Sequence, residues 1–218
     1  MSVLSPREGY DLWAPTWDCT PSPIVALEER TMLPWIERLS PRRVLDIGCG
    51  TGRWTGRLRA IGIDQSHAML EIAASKPGLR GRLAVADARL LPCQTASADA
   101  VVCALALCHI RDAAPAMQEF ARVLEPRGTL LLSDFHPTAA RVGWRRTFRQ
   151  GANVFELESY PHTIPELEAA APGLQLQDWA EAYIGEPERQ YFEQAGRPEL
   201  FAGATAIPAI LISRWTRI

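Results

Sequence analysis

The sequence predicts an α/β fold, one sheet of parallel strands with helices on both faces, and three observations predict it. From Arg43 onward short apolar runs alternate with stretches of helical spacing, the pattern of strands covered on both sides. The first apolar run, Val44-Leu45-Asp46-Ile47, leads straight into Gly48-Cys49-Gly50-Thr51-Gly52, with a glycine at every second position. The chain has 218 residues, 47% of them hydrophobic and 22% charged. That is enough to bury one substantial core, so a single domain over residues 1–218 is expected.

Taken in order, the chain opens with an aromatic segment, Gly9-Tyr10-Asp11-Leu12-Trp13-Ala14-Pro15-Thr16-Trp17-Asp18, which Pro21-Ser22-Pro23 closes off. Standing before any core-forming element, it must cover something; Trp13 and Trp17 either close a pocket or seal the core edge. Helical spacing follows over Ile24–Arg38, where Pro34 has no N–H to donate and predicts a kink or break. Strands are expected at Arg43–Ile47, Ala60–Asp64, Arg82–Ala86, Asp99–Ala104 and Thr129–Asp134. Between them, helices fit Thr51–Arg59, His67–Ser75 with Ser66 as N-cap, and Asp112–Leu124.

After the fifth strand the alternation lapses. Between Pro137 and Thr163, Arg141, Arg145 and Arg149 recur at helical spacing, which would put three guanidiniums on one side of a helix beside Trp144 and Phe148. They would either hold an anion or form a solvated face. Thr163-Ile164-Pro165-Glu166 is a capping-box pattern opening a helix to about Ala171. A sixth strand at about Leu174–Tyr183, a helix over Glu186–Gly196 with Pro187 at its first position, and a last strand at about Ala209–Trp215 complete the chain.

Glycine takes positive φ freely and lets a ligand lie against bare backbone, so a strand running into GxGxG marks a close approach to a nucleotide-like cofactor. The dinucleotide fingerprint GxGxxG would place the third glycine one residue later. With its own spacing, VLDIGCGTG resembles motif I of the class I S-adenosylmethionine (SAM) methyltransferases. The aromatic opening resembles the YDxxAxxYD segment of their small-molecule members (type 11, UbiE-like), with Trp17 where a Tyr is commoner. The resemblance implies a Rossmann-like seven-stranded sheet in the order 3-2-1-4-5-7-6, the last strand antiparallel. It also implies an N-terminal lid over residues 1–23 and a substrate-cap insertion over about 135–163. It covers the chain well through the fifth strand and is looser after Asp134. The first helix is shorter than is usual in that family, about two turns.

The same resemblance assigns the cofactor to Asp46, Gly48, Cys49, Gly50 and Gly52 around motif I. It adds Asp64 and Gln65 at the end of the second strand, where a carboxylate can accept both ribose hydroxyls, and Asp87 and Ala88 after the third, where the family accepts the adenine amino group. Ala104 and the lid residue Trp13 complete the set. Read singly, either Asp64 or Asp87 is equally a strand-end turn or a helix cap; together they favour SAM over NAD. Open α/β sheets bind ligands beyond the carboxyl ends of their strands. That makes His109, after the fourth strand, and His136, after the fifth, the candidates for taking a proton from an acceptor, unless they are structural.

A formal net charge of -2 argues against an electrostatic nucleic-acid binder. The longest apolar run, Ala100–Cys108, falls short of the roughly 20 residues that span a membrane, and the opening residues lack a signal-peptide core, so a cytoplasmic protein is expected. Five cysteines without C-x-x-C spacing suggest neither a disulfide framework nor a zinc site, and no metal is expected. The expectation is therefore SAM-dependent methylation of a small-molecule acceptor, at oxygen first and nitrogen next, by a monomer or homodimer that releases S-adenosylhomocysteine (SAH). The competing reading is a catalytically silent regulatory or scaffold protein of the same fold that binds SAM or a nucleotide.

Overall fold

The computed structural model describes residues 2–39, 41 and 43–218; Met1, at the start of the expected lid, lies outside them. A short strand β1 (Ser2–Leu4) precedes α1 (Pro6–Trp17) and α2 (Pro23–Glu37). The alternating part then runs β2 (Val44–Ile47), α3 (Arg53–Leu58), β3 (Ile61–Asp64), α4 (His67–Ser75), β4 (Leu83–Val85), β5 (Ala98–Ala104), α5 (Ala114–Val123) and β6 (Leu124–Phe135). It is followed by α6 (Pro137–Arg141), the hairpin β7 (Thr147–Gln150) and β8 (Asn153–Leu157), and α7 (Ile164–Ala170). Last come β9 (Leu174–Tyr183), α8 (Glu186–Gln194), the one-turn α9 (Phe201–Ala204) and β10 (Pro208–Arg217).

Seven strands form one sheet in the order β4-β3-β2-β5-β6-β10-β9. Numbered along the core alone, that is the expected 3-2-1-4-5-7-6. β2 pairs in parallel with β3 and β5, while β10 runs antiparallel to both β6 and β9. Every residue of β2 is buried, as a central strand covered on both faces requires. Alternate residues feed two cores: Leu45, Ile47, Val101 and Leu130 pack with α5 residues Met117 and Phe120, while Val44, Val102 and Leu131 pack with Leu27, Met32 and Trp54. Among the described residues no helix is long and apolar enough to cross a membrane.

A second, three-stranded sheet in the order β1-β8-β7 joins the two chain segments expected as lid and cap. β1 pairs in parallel with β8, Ser2 opposite Phe155 and Leu4 opposite Leu157. Beneath it Trp13, Phe148 and Leu157 make a small core of their own. Helix α1 opens on Ser5-Pro6-Arg7-Glu8, a capping box with proline in the first turn, in which Glu8 Oε2 accepts from the Ser5 hydroxyl at 2.6 Å.

Two expectations are corrected. α2 runs through Pro34 without a break. Pro34 lies in its last turn, so only the Arg30 carbonyl loses a helical donor. Arg141, Arg145 and Arg149 do not share a helix face. α6 ends at Arg141, Gly143 turns the chain at φ +96, and Gly151 at φ +58 opens the two-residue loop of a β-hairpin in which Arg149 is exposed. Arg141 donates to Thr138 Oγ1 at 2.9 Å and Arg145 stands 3.5 Å from Glu156.

Candidate active site

Beyond the carboxyl ends of β2, β3, β4 and β5 lies a cavity of about 500 Å³, lined also by α1 and by Arg146, Glu158 and Tyr160 from the stretch between α6 and α7. The glycine turn forms its floor. Gly48 and Cys49 both donate their N–H to the Ile63 carbonyl, at 2.8 and 3.1 Å, which folds the turn back over β3. Gly48 has φ +70, and a Cβ there would lie 2.3 Å from the Ala106 Cβ, so no other residue fits without displacing the end of β5. Gly50 differs: at φ +53, a Cβ built on it would meet nothing within 4 Å. Its bare backbone faces open space, the cradle that a cofactor lying on a glycine turn needs.

Asp64 closes the turn from the side. Its Oδ2 accepts the Gly50 N–H at 2.7 Å and its Oδ1 the Ser66 N–H at 2.8 Å. Burial pushes the Asp64 carboxyl above its ordinary value, and these backbone donors oppose the shift. Asp46 lies deeper, 1% exposed, with Thr55 Oγ1 donating to its Oδ2 at 2.6 Å; burial pushes its pKa up to about 6. Asp87, after β4, is held by Arg89, whose Nε donates to Oδ1 at 2.9 Å and Nη2 to Oδ2 at 2.6 Å. That guanidinium keeps the Asp87 carboxyl below its ordinary value. Below the turn, the fully buried Glu28 of α2 accepts from Arg53, from Trp54 Nε1 at 3.3 Å and from Ser133 Oγ at 2.7 Å, locking α2, α3 and β6 together.

The structure brings most of the sequence-predicted residues to this cavity. Asp46, Gly48, Cys49 and Gly50 line it at β2; Asp64 and Gln65 at β3; Asp87 and Ala88 after β4; Ala104 and His109 after β5. Leu105, between the last two, is held at φ +57 with its N–H donating to the Ser133 carbonyl, a conformation that costs about 1–3 kcal/mol in a residue with a Cβ.

Three of the expected residues lie elsewhere. Gly52 serves packing: it has φ +84, and a Cβ there would come within 2.4 Å of Leu79. Trp13 is buried behind the cavity wall, stacked on Phe148 with ring centroids 4.6 Å apart. Its neighbour Trp17 lines the cavity instead. His136 is the N-cap of α6, so its side chain is spent on structure. Its Nδ1 accepts the Thr138 N–H at 3.0 Å and its Nε2 stands 3.2 Å from Glu181, on the β9 side of the sheet. Burial lowers the His136 pKa, and Glu181 partly offsets this.

His109 remains at the acceptor end, and its tautomer is fixed by its partners. Nδ1 lies 2.7 Å from the Glu158 carbonyl, which can only accept, so Nδ1 carries the proton. Nε2 is then an acceptor, and the Tyr10 hydroxyl, 2.9 Å away, donates to it. Helix α1 is pinned nearby by Asp11, whose Oδ1 accepts from Ser66 Oγ at 2.6 Å beside the Asp64 strand end. Sequence reasoning missed Arg7, Arg111, Arg146, Glu158 and Tyr160 on this wall. Arg146 stands next to the Arg145 of the expected helix face, and only the strand phase of β7 would have singled it out.

The profile of the family described as "Methyltransferase domain" matches residues 45–132, from the strand before the glycine turn to the strand before Asp134. A demethylmenaquinone methyltransferase of Deinococcus radiodurans is 35% identical over 144 residues, covering 62% of this chain and 56% of the relative. An O-methyltransferase, cnsE, of Penicillium expansum is 35% identical over 117 residues, 46% of this chain and 42% of the relative. The chain thus spans about half the length of the curated relatives it matches. Among solved structures, a SAM-dependent methyltransferase of Mesorhizobium loti superposes with a TM-score of 0.66 at 19% identity, covering 90% of this chain and all of that one, a likeness of fold. The matched segment carries the glycine turn and the acidic strand ends that line the cavity, so over residues 45–132 this chain is similar to a methyltransferase domain.

Proposed function

We propose that the chain transfers the methyl group of SAM to a small-molecule acceptor, O-methylation before N-methylation. The observation that carries this reading is the half-buried carboxylate of Asp64 at the cavity wall, tied to the N–H of Gly50, the glycine of the turn at which a Cβ would meet nothing within 4 Å. The donor set fits SAM: Asp64 and Gln65 would hold its ribose, Asp87 and Ala88 its adenine, and the Gly48–Gly50 backbone its amino-acid part. When bound, SAM supplies a methyl group already activated by its sulfonium, so the protein need not provide a nucleophile.

What remains for the chain is to exclude water, align the acceptor and remove its proton. Tyr10 and Trp17 of α1 roof the cavity beside Arg146 of the cap. An acceptor hydroxyl set against Tyr10 can pass its proton to the phenolic oxygen as the Tyr10 proton moves to His109 Nε2. The Glu158 carbonyl, still bound to Nδ1–H, steadies the imidazolium that results. His109 thus acts through Tyr10. Incubating the protein with methyl-labelled SAM and fractionated small-molecule cell extract tests the reading: a labelled small molecule is the expected product. SAM binding with no label in any fraction would favour the catalytically silent alternative.

A further inference from the structure

Arg7 of α1, Arg111 after β5 and Arg146 of the cap come from three separate parts of the chain and line the same cavity. Other arginines of the molecule are neutralised by carboxylates, among them Arg89 by Asp87, Arg53 by Glu28, and Arg145 by Glu156. Among the described residues no carboxylate lies within ion-pair distance of these three. Two of them are held by aromatic faces instead. The Arg146 guanidinium lies 5.3 Å from the Trp17 ring centroid and 5.6 Å from that of Trp13. The Arg111 guanidinium lies 4.5 Å over Tyr160 and donates to its hydroxyl at 3.0 Å. Such contacts fix a guanidinium in place and leave its charge uncancelled. Arg146 Nη2 is in addition buried with no acceptor, which is costly for a group that cannot lose its proton. Of the acids lining the cavity, Asp87 is paired with Arg89, Asp46 accepts from Thr55, Asp64 accepts from Gly50, and Glu158 is exposed, and none of them stands within ion-pair distance of the three arginines.

We infer that the acceptor end of the cavity is a subsite for an oxyanion, with Arg146 as its fixed donor, so that the acceptor carries a carboxylate or phosphate on an apolar or aromatic body. The inference rests on the methyltransferase reading. A sulfonium entering beside three uncancelled guanidiniums meets like charge, and an anionic acceptor removes that repulsion. The aromatic faces of Tyr10, Trp17 and Tyr160 on the same wall suit the rest of such a molecule.

The test is calorimetric titration of the SAH-saturated protein with matched probes: benzoate against benzamide, phenylacetate against phenylacetamide, and phenyl phosphate against phenol. At least one anion should bind about tenfold or more tightly than its neutral partner, and the family of anion that does so separates carboxylate from phosphate. Arg146→Gln should abolish the preference while the neutral probe binds as before, and Arg146→Lys should restore part of it. Equal binding within every pair, no binding by any probe, or a preference that survives Arg146→Gln would overturn the inference. Saturation by SAH is measured first: its absence overturns the functional reading and this inference together, whereas SAH binding without anion preference overturns this inference alone.

Discussion

Asp64 and Arg146 both line the cavity but reach it by different routes. Asp64 is set by neighbours in sequence: the strand it ends, the glycine turn 14 residues before it and Ser66 just after it. Arg146 is set by a sheet that pairs Ser2 with Phe155 and by the rings of Trp13 and Trp17. The wall proposed for the cofactor therefore rests on the parallel sheet, whereas the wall proposed for the acceptor also needs the pairing of β1 with β8. Changes in the first half should act on cofactor affinity and global stability, and changes in the second on turnover and acceptor choice.

The largest expected effect breaks the acceptor half. His109→Ala, or Tyr10→Phe, should lower single-turnover methyl transfer by about 10²–10⁴-fold and leave SAH affinity within a few-fold. A wild-type rate in both variants would remove the Tyr10–His109 pair from the chemistry. The next effect falls on the sheet side. Glu28→Ala strands the Arg53 charge beneath the turn and should cost about 3 kcal/mol, or roughly 10 °C in Tm, in thermal unfolding.

Asp46 sharpens the contrast from the opposite direction. Burial raises its carboxyl from 3.8 to about 6, so the folded chain keeps a proton that the unfolded chain releases. Its contribution to stability is complete below about pH 4, declines through about pH 6 and is absent above that. Asp46→Asn should remove this slope and raise stability at neutral pH by about 2 kcal/mol, while cofactor affinity does not improve. Chemical denaturation at pH 4 and pH 7 reads both. The smallest effect belongs to His136: alanine there should cost about 1 kcal/mol through the lost cap and leave the transfer rate unchanged. A rate loss like that of His109→Ala would return it to the site.

The sequence was legible where structure is local. Alternation from Arg43 marked the strands, the resemblance of the glycine motif implied their order, and the acids at strand ends fall on the cavity wall, because each signal lies within one strand and its following turn. Gly48 and Gly52 show the limit of that reading: both sit in the same motif, yet only Gly48 lines the cavity, and Leu79, far from the motif in sequence, makes Gly52 a packing residue. Legibility fell where partners are distant. The helical phase assumed for Arg141, Arg145 and Arg149 pointed to the wrong arginines, since a two-residue glycine hairpin and a pairing with β1 decide the matter. His109 and His136 both follow core strands, and only the capping of α6 and the approach of Glu181 separate them.

The central claim is that the glycine turn and Asp64 form a SAM site ready before the acceptor binds, and isothermal titration of SAH into the wild-type protein and into Asp64→Ala tests it most directly. The wild type should bind SAH and not NAD. The variant, having lost a charged acceptor for the ribose hydroxyls, should bind SAH at least about tenfold more weakly. Failure of the wild type to bind SAH, or equal affinity in the two proteins, would contradict the account.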